Sequence, residues 1–274
     1  MKAIVYTQYG LPEVLQLKET AKPTPKDNEI LVRIKATAVN SGDLRLRKAD
    51  PFAVRFFFGL RKPKINILGS VFSGEVEVVG KEVKRFKVGD QVFGHTDMRF
   101  GAYAEYKSLP ESGTVALKPE RLNHAEAAVI PFGGATALHF IKKVTIKPGQ
   151  KVLVNGASGA VGSAAVQLAK HFGAQVTGVC STANLDLVKS LGADQVIDYT
   201  NVDFSKNSEM YDVIFDTVNK VSFSGSIKCL NENGILILSA AGMSEMLKGI
   251  WTSMTSSKKV LTGVVSHSAA DIAF

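Results

Sequence analysis

Val152-Leu-Val-Asn-Gly-Ala-Ser-Gly-Ala-Val-Gly-Ser-Ala-Ala-Val-Gln-Leu-Ala-Lys170 decides the fold. The stretch opens on an apolar, β-branched run and passes through three glycines. It closes on Ala, Val, Gln, Leu and Ala at helical spacing, so it reads as strand, tight turn, helix. Gly156, Gly159 and Gly162 fall where a dinucleotide-binding turn needs backbone free of Cβ. The first makes the turn, the second admits a pyrophosphate, and the third packs helix on strand. Free N–H groups and the helix dipole then attract phosphate. The spacing is G-x-x-G-x-x-G rather than G-x-G-x-x-G, so the reading leans on its flanks. A glycine-rich turn that holds no ligand is the competing reading.

The downstream flank supports the dinucleotide turn. Strand patterns at Lys151–Asn155, Gln175–Val179, Gln195–Ile197, Asp212–Asp216, Ile235–Ser239 and Val260–Val264 alternate with helical ones. The helical segments are Ser163–Phe172, Leu185–Leu191, Phe223–Cys229 and Glu245–Ser253. Six strands with crossovers describe an α/β, doubly wound parallel sheet, which binds ligands at the carboxyl ends of its strands.

Upstream, residues 1 to about 120 read as short strands and turns, consistent with a partly open β-barrel. Asn123 caps a helical stretch that Pro131 ends; Gly133 and Gly134 mark a turn, and Ala135–Lys143 starts a second helix. This crossover predicts domains at 1–122 and 123–274. Within the first, Phe52-Ala-Val-Arg-Phe-Phe-Phe58 precedes Leu60-Arg-Lys-Pro-Lys64. Aromatics beside cations suit a buried cluster, a flap over substrate, or a membrane-surface patch.

Composition narrows the function. The 274 residues are 45% hydrophobic and 21% charged, which supports packed cores and argues against disorder. A net charge of +8 suits an anionic ligand or a solvated basic surface. No basic stripe falls on a nucleic-acid module, so nucleic acid is not an expected partner. Cys180 and Cys229 supply neither a disulfide framework nor a metal motif. The histidines at 95, 124, 139, 171 and 267 are scattered, so no metal is expected. The opening Met1-Lys-Ala-Ile-Val-Tyr resembles a first strand rather than a cleavable signal, and no apolar run reaches spanning length. A cytoplasmic, reducing location is expected, without membrane contact.

The end of the second sheet strand bears on which dinucleotide binds. An acid there hydrogen-bonds the ribose hydroxyls of NAD and repels a 2′-phosphate. Here the strand ends Val179-Cys-Ser-Thr-Ala-Asn184, with no acid before Asp186. Hydroxyls at Ser181 and Thr182 could donate to a phosphate, so NADP(H) is favoured over NAD(H). Alternatively both hydroxyls merely cap the next helix.

With these residues in view, the chain resembles a zinc-independent medium-chain dehydrogenase/reductase of the quinone oxidoreductase (zeta-crystallin-like) group. The resemblance runs along essentially the whole chain. It rests on Met1-Lys-Ala-Ile-Val, Val39-Asn-Ser-Gly-Asp43, Gly69-Ser-Val-Phe-Ser-Gly-Glu-Val-Glu-Val-Val-Gly80 and Phe86-Lys-Val-Gly-Asp-Gln-Val-Phe-Gly94. Gly101-Ala-Tyr-Ala-Glu-Tyr106, Gly133-Gly-Ala-Thr-Ala137, the glycine turn and Leu191-Gly-Ala-Asp-Gln-Val-Ile-Asp-Tyr199 continue it.

The resemblance implies a GroES-like catalytic domain followed by a Rossmann domain. Asn40 would lie near nicotinamide and substrate, and Thr136 would help hold the cofactor. Ser158, Gly159, Ala160 and Val161 would hold the pyrophosphate. Ser181 and Tyr199 would flank the adenosine phosphate, and Ser239 and Ala240 would line the nicotinamide side. Zinc-dependent relatives carry Cys where Ser41 stands, a His-Glu pair where Ser70 and Val71 stand, and a four-cysteine lobe; this chain lacks these ligands. Bacterial relatives often have a basic residue at Asn184, and some have a Tyr at Arg45.

Such a protein would pass hydride to a quinone or to the β-carbon of an α,β-unsaturated carbonyl, with polar donors facing the developing enolate. Asn40 is the first candidate donor and Arg45 the second, while Asp43 serves equally well as a structural residue. The family chain continues past the sixth strand to complete its catalytic domain. This one stops at Ser268-Ala-Ala-Asp-Ile-Ala-Phe274, so that return is expected to be missing. A homodimer through the sixth strand is expected. The alternatives are a cofactor-binding structural or membrane-associated protein, or an inactive truncated remnant.

Overall fold

A computed structural model describes residues 1–206 and 208–274. The chain forms two units, Met1–Phe132 with His267–Phe274, and Gly133–Ser266. The sequence predicted one division, at 122/123. The observed one falls ten residues later, and the last eight residues rejoin the first unit. The return implied by the resemblance therefore begins within this chain.

In the first unit, β1 (Lys2–Val5) pairs antiparallel with β2 (Gln16–Glu19). β3 (Glu29–Ala36) is followed by α1 (Ser41–Lys48) and α2 (Val54–Phe58). Then come β4 (Val71–Val79), β5 (Gln91–His95), β6 (Tyr106–Pro110) and β7 (Val115–Leu117). Strands β3 to β7 form an antiparallel sheet of order β6-β3-β4-β5-β7. Ile30, Val32, Phe72, Val76 and Val92 pack together as its core.

The aromatic stretch divides. Phe58 packs edge-to-face on Phe100 at 6.0 Å, inside a cluster with Tyr6, Leu46 and Leu68. Phe52, Phe56 and Phe57 stay exposed, so burial accounts for only one of the four phenylalanines.

α3 (His124–Val144) is one helix of 21 residues with Pro131 inside it. The predicted break at Pro131 and turn at Gly133–Gly134 do not occur. Burial of Ala127, Ala128, Ala135, Leu138, Phe140 and Ile141 outweighs the backbone bond that proline forfeits. Gly133 serves close packing instead of a turn. A Cβ there would lie 2.2 Å from the Ala160 carbonyl oxygen.

The second unit continues with β8 (Lys151–Asn155), α4 (Ala160–His171), β9 (Gln175–Cys180), α5 (Leu185–Ser190) and β10 (Gln195–Asp198). It ends with β11 (Tyr211–Asp216), α6 (Phe223–Lys228), β12 (Leu230–Leu238), α7 (Met243–Thr255) and β13 (Lys259–Leu261). All six strands are parallel, in the order β10-β9-β8-β11-β12-β13. The doubly wound sheet read from the sequence is present. β12 starts five residues before the expected Ile235, because the polar Asn231-Glu-Asn-Gly234 run sits inside a register shift. β13 ends earlier than expected, two residues before Gly263 at φ +141°. Finally α8 (Ala269–Ala273) packs on β7 in the first unit.

Candidate active site

The glycine turn joins β8 to α4. Gly156 has φ +78°, a left-handed conformation, and a Cβ there would meet Thr217 Oγ1 at 2.6 Å. A side chain is therefore excluded twice. Gly159 is the N-cap of α4 and offers no side-chain acceptor. The first N–H groups of this 12-residue helix lack intrahelical partners. Gly159 and Ala160 are exposed, while Ser158 and Val161 are half-buried. The cradle fits a pyrophosphate: uncapped donors, a dipole, and no Cβ at the turn. Thr136 is buried on α3, one turn beyond Gly133, on the face that approaches Ala160.

At the corner expected to face an adenosine, β9 and β10 run in register, with Asp198 beside Cys180. Ser181 and Tyr199 therefore leave neighbouring strand ends together. Asn184 Nδ2 donates to Ser181 Oγ at 2.9 Å, which leaves the Ser181 hydroxyl hydrogen available. Thr182 is differently engaged, for its hydroxyl donates to Asp198 Oδ2 at 2.5 Å. Asp198 also accepts from the Thr200 N–H and hydroxyl and from Asn201 Nδ2. The Thr182 and Thr200 hydrogen bonds hold its carboxyl below the ordinary aspartate range. No acid follows β9 in sequence before Asp186, yet β10 brings Asp198 to the same corner. Strand register, which a linear reading does not supply, was the missing signal.

The sheet order reverses between β8 and β11, and Asp216 is buried at the end of β11. Its Oδ1 accepts from Asn155 Nδ2 at 2.9 Å and from the Val218 and Asn219 N–H groups. Its carbonyl accepts from the Ser239 N–H at 3.1 Å. Asp216 thus fixes the loops after β8, β11 and β12, including half-buried Ser239 and Ala240. Sequence reading missed it, because a single Asp closing an apolar strand looks like a turn residue. A cavity beside these strand ends is lined by Asp216, Asn219, Ser222, Leu238 and Lys248.

The first unit holds the other predicted residues. Asn40 is the N-cap of α1; its Oδ1 accepts from the Gly42 and Asp43 N–H groups at 2.9 and 3.2 Å. Its Nδ2 donates to Ser70 Oγ at 2.7 Å, which leaves one amide hydrogen uncommitted. Asp43 completes the capping box by accepting from the Asn40 N–H. Asp43 also accepts from the Gly69 N–H at 3.0 Å and the Tyr103 hydroxyl at 2.9 Å. Burial raises its pKa, although these donors pull it down. Burial, with Asp43 alongside, raises the Tyr103 phenol further. Asp43 is therefore the strut of the loop. Arg45 lies exposed on α1, and none of its side-chain atoms joins this network.

Two of the five histidines, scattered in sequence, meet in the first unit. His95, at the end of β5, stacks on His267 with centroids 4.4 Å apart, and both face Asp97.

Known proteins resemble this chain throughout. The family profile described as "Alcohol dehydrogenase GroES-like domain" matches residues 26–120, and "Zinc-binding dehydrogenase" matches 160–272. A 2-methylene-furan-3-one reductase of Solanum lycopersicum is 38% identical over 87% of this chain and 62% of its own length. An NADPH-dependent alkenal/one oxidoreductase of Arabidopsis thaliana is 34% identical over 86% of this chain and 62% of its own. A chloroplast envelope quinone oxidoreductase homolog of Arabidopsis thaliana is 36% identical over 95% of this chain and 81% of its own. The solved quinone oxidoreductase of Coxiella burnetii superposes with a TM-score of 0.88 at 31% identity, covering 100% of this chain and 85% of that one. The chain thus spans about 62% of the length of the first two relatives.

The second profile's description names zinc, but the residues at 41, 70 and 71 do not fit that metal. Ser41 starts α1, Ser70 Oγ is bonded to Asn40, and Val71 is a buried strand residue. No thiolate, imidazole or carboxylate stands at these three positions.

Proposed function

Because the chain belongs to the medium-chain dehydrogenase/reductase family, in its quinone oxidoreductase group, we propose that it reduces a quinone or an α,β-unsaturated carbonyl with NADPH. The observation that carries this reading is the uncapped α4 N-terminus behind Gly156, a cradle built for a pyrophosphate. NADPH is favoured over NADH because Ser181 keeps a free donor hydrogen and a relative of this chain is named NADPH-dependent. Ser158, Gly159, Ala160 and Val161 hold the pyrophosphate, with Thr136 behind them. Ser181 and Tyr199 flank the adenosine phosphate, and Ser239 and Ala240 line the nicotinamide side.

The bound dinucleotide would supply the hydride. Conjugation in the acceptor spreads the incoming charge onto oxygen, so a hydrogen-bond donor suffices where an isolated ketone needs a Lewis acid. Asn40 is the proposed donor, through its uncommitted amide hydrogen, and the capping box holds it in place. Arg45, exposed one turn along α1, is the second candidate. The proton that completes reduction comes from solvent.

A homodimer joined at β13 is part of the proposal. β13 is an edge of the sheet, and α7 beside it exposes Met243, Leu247, Trp251 and Met254. No described helix is long and apolar enough to cross a membrane. A cytoplasmic location is also proposed, supported by the free thiols Cys180 and Cys229.

The test is a paired fluorescence titration of the 274-residue chain with NADPH and NADH, followed by a turnover screen on quinones and enones. Tight, NADPH-preferring binding with turnover is the expected result. Binding of neither dinucleotide would end this reading.

A further inference from the structure

We propose that His95, Asp97 and His267 form a divalent-cation site, best matched to Zn2+, that fastens residues 267–274 to the sheet of their own unit. All three residues belong to the first unit. One ligand atom from each lies within 4.8 Å of the other two. His95 Nδ1 is 3.4 Å from Asp97 Oδ1, and His267 Nδ1 is 3.9 Å from that same oxygen. Tetrahedral zinc, with bonds of about 2.0–2.1 Å, sets its ligand atoms roughly 3.3–3.4 Å apart. One edge of the triangle already has that length; side-chain rotation would close the second, at 3.9 Å, and the third, which lies within 4.8 Å. Two imidazole nitrogens and one carboxylate oxygen suit zinc, with water in the fourth position.

The surroundings fit a ligand set. The Asp97 N–H donates to His95 Nδ1 at 2.8 Å, so that nitrogen bears a lone pair, not a proton. A cation would take this lone pair in exchange for one backbone hydrogen bond. Both imidazoles are nearly enclosed, with side-chain exposures of 9% and 11%. Thr114 Oγ1 lies 3.1 and 3.3 Å from the two Asp97 oxygens and 3.5 Å from the His267 carbonyl. A hydroxyl there orients the carboxylate from outside, as the outer partners of metal ligands do.

The consequence is mechanical. His267 opens the segment that carries α8 back to β7, where Ile272 is buried. A cation shared with His95 and Asp97 joins that segment to the end of β5 by coordinate bonds, closing a long loop of chain.

The test uses the 274-residue chain, stripped of metal by a chelator and then titrated with Zn2+ or Co2+. Three results are expected. One Co2+ per chain should bind with the visible d–d absorption of a four-coordinate site. Zn2+, but not Mg2+, should raise the melting temperature, and amide exchange over 269–273 should slow. His267→Ala should abolish all three, and Thr114→Val should weaken metal binding about tenfold. His267→Ala also alters the docked segment, so His267→Cys is the second variant. It retains a ligand and should add thiolate-to-Co2+ charge-transfer absorption. Two outcomes overturn the proposal: no Co2+ absorption at micromolar metal, or binding undiminished in both His267→Ala and Asp97→Asn. Dinucleotide titration of the second unit is read separately, so the proposed reductase activity stands or falls on its own.

Discussion

Asn40 serves two roles with one amide, and two substitutions separate them. Asn40→Ala removes the cap, costing about 1 kcal/mol of stability, and removes the donor as well. Asn40→Asp keeps the capping oxygen but loses the N–H. Its melting temperature should therefore stay near wild type while kcat falls. Wild-type turnover in Asn40→Asp would remove the donor role. Asp198 carries a second prediction. Its carboxylate faces the corner assigned to the 2′-phosphate and occupies the Thr182 hydroxyl. Asp198→Asn should raise the affinity for NADPH relative to NADH severalfold, as read by paired titration; an unchanged ratio would place the phosphate elsewhere. The two hydroxyls after β9 were legible in sequence because their spacing from the glycine turn is local. Asp198 was not legible, because it reaches them only through the parallel register of β10 with β9. Asp43 shows the same limit: the motif marks it, but only the fold reveals its bonds to Gly69 and Tyr103.

At the scale of elements, α3 shows why local propensity misleads. Proline and paired glycines read as a break, yet burial along one face carries the helix through all 21 residues. The glycine is needed for approach, so Gly133→Ala should strain the contact with the Ala160 carbonyl, where a Cβ would sit at 2.2 Å. Overpacking of this kind costs about 1–3 kcal/mol. Denaturant unfolding should show that loss, and dinucleotide affinity should fall with it, since the strained carbonyl belongs to the first residue of α4. Unchanged stability and affinity would mean that α3 yields without disturbing the turn. The six parallel strands and the four helices between them were legible because each is a continuous run of one period. Their ends were not, since Asn231-Glu-Asn-Gly234 inside β12 looks like a loop until β11 pairs with it. The phenylalanines of α2 posed a different problem, for composition identifies an aromatic cluster but not which ring faces inward.

The molecule as a whole should lose stability on the acid side. Burial tends to raise the Asp194 pKa, but Lys170 Nζ and the Val176 N–H outweigh it, and the net shift is downward. The unfolded chain then binds this proton more readily than the folded one. The contribution is full above the ordinary aspartate pKa and drains away as pH falls through the depressed folded value. Asp97 acts in the same direction. Asp43 acts in the opposite one, because its raised pKa favours the fold at low pH and loses that contribution as pH rises. Melting followed downward from neutral pH should therefore show a fall that Asp194→Asn flattens; equal slopes would mean that other carboxylates set the profile. The interleaving of the two units bears on the order of folding. Residues 133–266 are contiguous, whereas the first unit needs His267 and α8 from the far side of them, so the second unit can finish folding while β7 still awaits its cover. Pulse-labelled hydrogen exchange should catch that order, with amides of β8–β12 protected before those of β7.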